Sequence, residues 1–495
     1  MATTSDLDEP GLFLQLEITA GAVRVTYAAP LARVGRSGLH PPLLNEEAGP
    51  SLRGSSELVL AVLDERGVRE QFAWSMRAVA FTDREDEEGS GALRGMPRDS
   101  RLATRVLRVP VPAEATFALL YTTEWLHDAG GGDSPLVRRV LGLYYLAIPG
   151  DLLPPVPPWP FPWHPPVPWP LPFPPQRLYR PRPPRPVTSS LAGTNTLVDS
   201  GSPQDRFDIV ILGDGFTYNQ LPEFDARAQA LSDGLMAMSP FNALAGKINI
   251  HTVRAASLQS GLTDCPAVGT AVSTYFGTRG NFNGQYPGFV GAPDPERIYQ
   301  AAEIIAPRQY LDVFLVIANC DIQGGSAFPS QRLAFITMYT DLTKFVNIAA
   351  HELGHVIGRT AEEYIGCAEW DPVNVYPNQG TEAQRAADTL PWKTFALPNE
   401  LDSQGHFRAQ HQLGDPFDAN NQPVVAPGLT GMLGAYWGCQ DIEIGTSSSA
   451  CDPYQDARGK GLFRPMAECR MRKSFFNFCR VCSAQISDAI VAVAP

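Results

Sequence analysis

Along residues 11–150 apolar and polar positions alternate in short bursts. Leu12-Phe13-Leu14-Gln15-Leu16-Glu17-Ile18 and Val23-Arg24-Val25-Thr26-Tyr27 are the first two, and others lie near 58–64, 69–80, 105–111, 116–125 and 137–148. A period of two puts alternate side chains on one face of a strand, and Gly, Pro and Asp punctuate the gaps. The pattern therefore predicts about seven strands and an all-β sandwich over 1–150. After residue 187 the pattern changes. Phe207-Asp208-Ile209-Val210-Ile211-Leu212 is a run suited to a buried strand, and Gly213-Asp214-Gly215-Phe216 turns it into a helical stretch at about 220–238. Further strands are predicted at 248–254, 311–318 and 332–339. A helix follows, in which Phe345, Ile348, Ala349, Val356 and Ile357 recur at helical spacing, with Asp341 or Thr343 as its cap and Gly358 as its stop. Residues 187–495 thus read as an α/β (α+β) domain.

Between the two patterns, from Pro154 to Pro186, 17 of 33 residues are proline, interleaved with Trp159, Phe161, Trp163, Trp169 and Phe173. Proline removes backbone donors and fixes φ, so this stretch favours an extended polyproline rod, and 151–186 is expected to be a linker. Its basic end, with Arg177, Arg180, Arg182 and Arg185, would also suit docking to a proline-reading module. The acidic run Asp83 to Glu88 is expected to be a solvated loop.

Composition narrows the class. A formal net charge of −13 argues against nucleic acid or an anionic membrane as the main partner, and no apolar run reaches the length of a membrane span. Gly213-Asp214-Gly215 is too short for a phosphate loop and lacks its lysine. The chemistry concentrates in His351-Glu352-Leu353-Gly354-His355. Histidines four apart on a helix lie about 40° apart around its axis, so both imidazoles can meet one metal ion while Glu352 acts as general base. Two histidines do not complete a catalytic zinc site, which usually has three protein ligands and a water. If the helix stops at Gly358, the chain can fold back and bring Glu362 or Glu363 to the ion.

The segment resembles the IgA-peptidase family of zinc metallopeptidases: His-Glu-x-Gly-His is followed by Glu362-Glu363-Tyr364. The stretch from Asp208 to Phe216, Ser239-Pro240-Phe241, Asn249, the stretch from Asp312 to Asn319, and Cys469-Arg470-Met471-Arg472 are similar to that family too, so the resemblance covers roughly 200–485. It implies a zincin fold related to the metzincins, with Zn2+ as cofactor and a protein or glycoprotein as substrate. In the metzincin pattern the third ligand falls at Ala361, which cannot ligate, so a neighbouring carboxylate must substitute. Met471, with Met466 as the alternative, is the candidate for the apolar floor under the histidines. Tyr436 and Arg472 are candidate oxyanion or substrate contacts. The strand from Arg332 to Tyr339, just before the metal helix, is the candidate edge for an extended substrate, an ordinary central strand being the other reading.

The resemblance also suggests glycosylated, Pro/Ser/Thr-rich substrates of the antibody-hinge kind. The competing function is a non-catalytic glycan- or protein-binding chain with a structural zinc. The eight cysteines all lie in the second half, and Cys479-Arg480-Val481-Cys482 with Cys469, like Cys439 with Cys451, is expected to form structural disulfides. That suits an oxidising compartment, whereas the opening ten residues show neither a basic n-region nor an apolar h-region, so location stays open. His406 and His411 fall in a polar insertion, 397–427, expected to be a surface loop. His251 has no partner identifiable from the sequence.

Overall fold

The computed structural model describes the strands before residue 146, then 176–177, 190–265, 269–282, 289–363, 376–408, 431–437 and 462–494. The first half holds β1 (Gly11–Thr19), β2 (Ala22–Leu31), β3 (Glu57–Asp64), β4 (Gly67–Ser75), β5 (Val79–Glu85), β6 (Leu93–Gly95), β7 (Arg98–Asp99), β8 (Ala103–Pro110), β9 (Phe117–Glu124), β10 (Val137–Tyr145) and β11 (Gln176–Arg177). The second half holds β12 (Ser190–Val198), β13 (Phe207–Asp214), α1 (Leu221–Ala237), β14 (Ile248–Ala256), α2 (Glu296–Ala302), β15 (Val313–Ala318), β16 (Gly325–Phe328), β17 (Leu333–Thr337), α3 (Leu342–Gly358), β18 (Gly380–Thr381), α4 (Glu382–Ala386), β19 (Leu433–Trp437), β20 (Leu462–Met466) and α5 (Arg480–Val493). Among the described residues no helix is long and apolar enough to cross a membrane.

The chain divides into two compact units. The first, Met1–Ala78 with Ser100–Arg185, shows only strands among its described residues, in the sheets β2-β1-β8 and β11-β10-β9-β3-β4. Inward residues of the first sheet, Phe13, Tyr27, Ala29 and Val106, form one buried cluster. The second unit takes Val79–Asp99 together with Pro186–Pro495. So 79–99 does not follow the strands on either side of it. The acidic run expected to be a solvated loop instead contributes Asp83, Arg84 and Glu85 to β5, and 86–88 lie outside the described residues. The proline-rich linker lies outside them too, apart from β11.

The second unit is mixed α/β, built on a sheet in the order β12-β14-β13-β15-β17-β16-β5-β6, with β7 paired to β5. β14, β13, β15 and β17 run parallel. Every residue of β13, β15 and β17 is buried, as expected of strands covered on both faces. One face packs against α1, α3 and α5 through Ile209, Ile211, Leu315, Ile317, Phe345, Ile348, Leu353 and Ile486; the other packs under α2 through Val210, Leu212, Phe314, Val316, Ile298 and Tyr299. Full burial of each such side chain is worth about 1.5–3 kcal/mol before entropy is counted, so the sheet is a stiff platform for α3. A smaller sheet, β18-β20-β19, lies farther along the chain.

The structure corrects the edge-strand expectation. The segment from Arg332 to Tyr339 contains β17 (Leu333–Thr337), which is paired on both sides, parallel to β15 and antiparallel to β16. β16, which the sequence pattern did not reveal, is the strand beyond it. The outer side of β16 carries β5, with Gly325 opposite Asp83, Ser326 opposite Thr82 and Ala327 opposite Phe81.

Candidate metal centre

Helix α3 starts where the Asp341 carboxylate accepts hydrogen bonds from the amides of Thr343 (2.8 Å) and Lys344 (3.1 Å), satisfying donors that the first turn leaves open. Its last three turns are buried all round, from Ile348 to Gly358. That burial includes three groups that burial alone would disfavour: His351, Glu352 and His355 are each fully buried.

The two imidazoles meet edge to face, with their Nε2 atoms 3.1 Å apart. Each ring is oriented from behind. His351 Nδ1 lies 2.8 Å from the Arg470 carbonyl and His355 Nδ1 lies 2.7 Å from the Thr360 carbonyl. A carbonyl can only accept, so each Nδ1 carries its proton and Nε2 of the neutral ring keeps a lone pair. Both lone pairs then point into the same small space.

Glu362 brings a third donor there. Its carboxylate oxygens lie 2.9 Å from His355 Nε2 and 3.2 Å from His351 Nε2. The helix ends differently from the expected glycine stop: Gly358 is the last helical residue, and Arg359 makes the reversal in the left-handed region at φ 49°. Gly358 serves another purpose, since a Cβ there would lie 2.9 Å from Ile486 Cγ1 and push α5 off α3. After the reversal Asn378 clamps the chain. Its Oδ1 accepts from the Ala361 amide at 2.7 Å, and its Nδ2 donates to the Ala361 carbonyl at 2.8 Å and to Glu363 Oε1 at 3.0 Å.

Glu362 and Glu363 face opposite ways. Glu363 points into a separate group with Cys469, Cys479 and Cys482, all three of them free thiols. Burial pushes its carboxyl well above the usual range. The disulfides expected of these cysteines are thus not formed. The disulfide among the described residues joins Cys265 to Cys320, and Cys439 with Cys451 lies outside them.

The remaining expected site residues fall in several places. Met471 is fully buried beside the histidines; a Cβ on Gly354, one residue before His355, would lie 2.8 Å from its sulfur. Its carbonyl accepts from the Glu363 amide at 2.8 Å. Met466 sits at the end of β20, opposite Leu433. The Tyr436 hydroxyl donates to the Met432 carbonyl at 3.2 Å, and burial pushes its pKa up to about 12. Arg472 is buried in the turn after Cys469, whose carbonyl accepts from its amide. His406 lies outside this cluster, 3.5 Å from Asp388; His411 is outside the described residues. His251 donates through Nε2 to Asp208 at 2.8 Å, with its Nδ1 3.0 Å from Thr196 Oγ1.

Several contributors carry no sequence signal. Arg470 and Thr360 act through carbonyls and Asn378 through an amide 15 residues past Glu363. Gly325 acts by lacking a side chain: β16 runs so close to α3 that a methyl there would overlap the Glu352 carboxylate. Tyr376 could have drawn attention as an aromatic near the motif. Burial raises its pKa, and Arg359 and Glu362 are the charges acting on it.

Two imidazole nitrogens and one carboxylate, all buried and mutually within 4.8 Å, suit a divalent cation, because without positive charge the lone pairs and the carboxylate repel one another. No curated protein shows significant similarity to the chain. Residues 196–379, which include His351, Glu352, His355 and Glu362, match the model of a family described as IgA peptidase M64, so this segment is similar to a family of peptidases.

Proposed function

We propose that the second unit is a zinc endopeptidase of zincin-like fold, in which His351, His355 and Glu362 hold the ion and Glu363 does not. The observation that carries this is the convergence of two Nε2 atoms and the Glu362 carboxylate, all buried, with both Nδ1 atoms already committed to carbonyls. Three N/O ligands are the usual protein complement of a catalytic zinc. When bound there, zinc supplies Lewis-acid chemistry, lowering the pKa of water and polarising a peptide carbonyl.

The chain's own residues do the rest. Glu352 follows His351 directly on the helix, and its carboxylate takes a proton from the attacking water and returns it to the leaving amine. The carbonyls of Arg470 and Thr360 keep the imidazoles from rotating, and Met471 and Gly354 make a tight apolar floor. The substrate is a protein. Glycosylated, Pro/Ser/Thr-rich segments of the antibody-hinge kind are the class to test first, since the family's description names IgA.

Glu352→Gln removes the base while keeping the side chain's size. Its kcat on unfolded casein is expected to fall by about 10²–10⁴-fold, with the metal content of the purified protein unchanged by elemental analysis. A chelator should abolish cleavage by the unaltered chain. Undiminished cleavage by the variant would sink the mechanism, and a chain that binds metal without cleaving any peptide library would favour a recognition module.

A further inference from the structure

We propose that Glu363, Cys469, Cys479 and Cys482 form a second metal site, separate from the histidine centre, that takes a thiophilic divalent cation in tetrahedral geometry, zinc foremost. The four ligand atoms lie within 4.8 Å of one another and all four residues are buried. Cys469 Sγ is 3.7 Å from Cys482 Sγ, and Glu363 Oε1 is 3.2 Å from Cys482 Sγ and 3.9 Å from Cys479 Sγ. Sulfurs bound about 2.3 Å from a tetrahedral zinc stand roughly 3.8 Å apart, so the spacing is that of ligands around an ion. It is far too wide for a disulfide bond.

The surroundings agree. Three thiols can make at most one disulfide, which would strand the third thiol beside a buried carboxylate. Glu363 Oε2 is buried with no hydrogen-bond partner among the described residues, a costly arrangement that a cation would relieve. Cys479 caps the N-terminus of the 14-residue α5, and its sulfur accepts from the Cys482 amide at 3.5 Å; Cys469 Sγ accepts from the Cys479 amide at 3.3 Å. Asn378 Nδ2 donates to Glu363 Oε1, the oxygen nearest the sulfurs, and holds the carboxylate in place. The sequence shows only half of this site, because Cys479-x-x-Cys482 is joined by a cysteine ten residues earlier and a glutamate more than a hundred residues earlier.

The test is metal content and spectroscopy on the full chain. Purified under reducing conditions, it should carry two zinc equivalents. His351→Ala/His355→Ala should lose one and keep the other; Cys479→Ser should lose the other. Chain produced with cobalt in place of zinc should show an intense sulfur-to-cobalt charge-transfer band in the near ultraviolet, and the double histidine variant should keep it. The cobalt band of the unaltered chain requires no variant to fold, and a His2Glu centre cannot produce it, so this proposal fails or stands apart from the hydrolytic one. A single metal equivalent with no charge-transfer band, or a Cys469–Cys482 disulfide found by mass spectrometry, would overturn it.

Discussion

At the scale of single residues the centre depends on one missing side chain. The backbone of β16 passes against Glu352 at Gly325, and the atoms a new methyl would meet belong to the glutamate side chain rather than to backbone. Glu352 can swing aside at small cost in stability, but then it no longer faces the pocket. Gly325→Ala is therefore expected to retain its metal and its thermal midpoint within a few degrees, while kcat falls about 10²-fold or more, the general-base contribution. Steady-state kinetics beside a melting curve would check this. His351, Glu352 and His355 were readable in the sequence because a helix alone brings them together. Glu362 was separable from Glu363 only once the turn was known, and that turn is made by Arg359 in a left-handed conformation that nothing in its neighbours announces. Asn378 and the Arg470 carbonyl were invisible because backbone groups and distant amides leave no mark on a motif.

Among the elements, β16 lies against Glu352 and β5 lies along the other edge of β16. The strands β13, β14 and β15 were legible from apolar runs, whereas β16 is four buried residues, Gly325–Phe328, with no alternation to reveal it. Edge and centre are also properties of non-local pairing, which is why β17 was open to either reading. β16 is the strand that touches Glu352, and β5 occupies its outer edge along Phe81, Thr82 and Asp83. An extended peptide seeking that edge would have to displace β5. Thr82→Pro removes an amide from β5 and weakens its hold. The expected outcome is a lower KM for long peptides with little change for dipeptide-sized ones; an unchanged KM would mean that substrate runs elsewhere.

For the whole molecule, stability and pH are linked through a group far from the centre. Asp208 on β13 is buried with Asn249 and His251, and burial pushes its pKa from 3.8 up to about 6 against the lowering hydrogen bond from His251. A folded-state value above the unfolded one means that the folded chain takes up a proton first. The stability Asp208 contributes is therefore full below pH 3.8 and is lost as pH rises through about 6. The change is worth on the order of 3 kcal/mol. In Asp208→Asn, which mimics the protonated form, denaturant midpoints should vary less between pH 4 and pH 6.5 than in the unaltered chain.

The adjacency of Glu362 and Glu363 has a consequence of its own. One peptide unit, held by Met471 and Asn378, presents one carboxylate to the histidines and the next to the thiols. The position of Glu362 is thus tied to the group of thiols on the other side of the same peptide unit. On the proposed reading, an oxidant able to reach Cys469, Cys479 or Cys482 would disturb Glu362 through that shared peptide unit while leaving His351, Glu352 and His355 chemically intact.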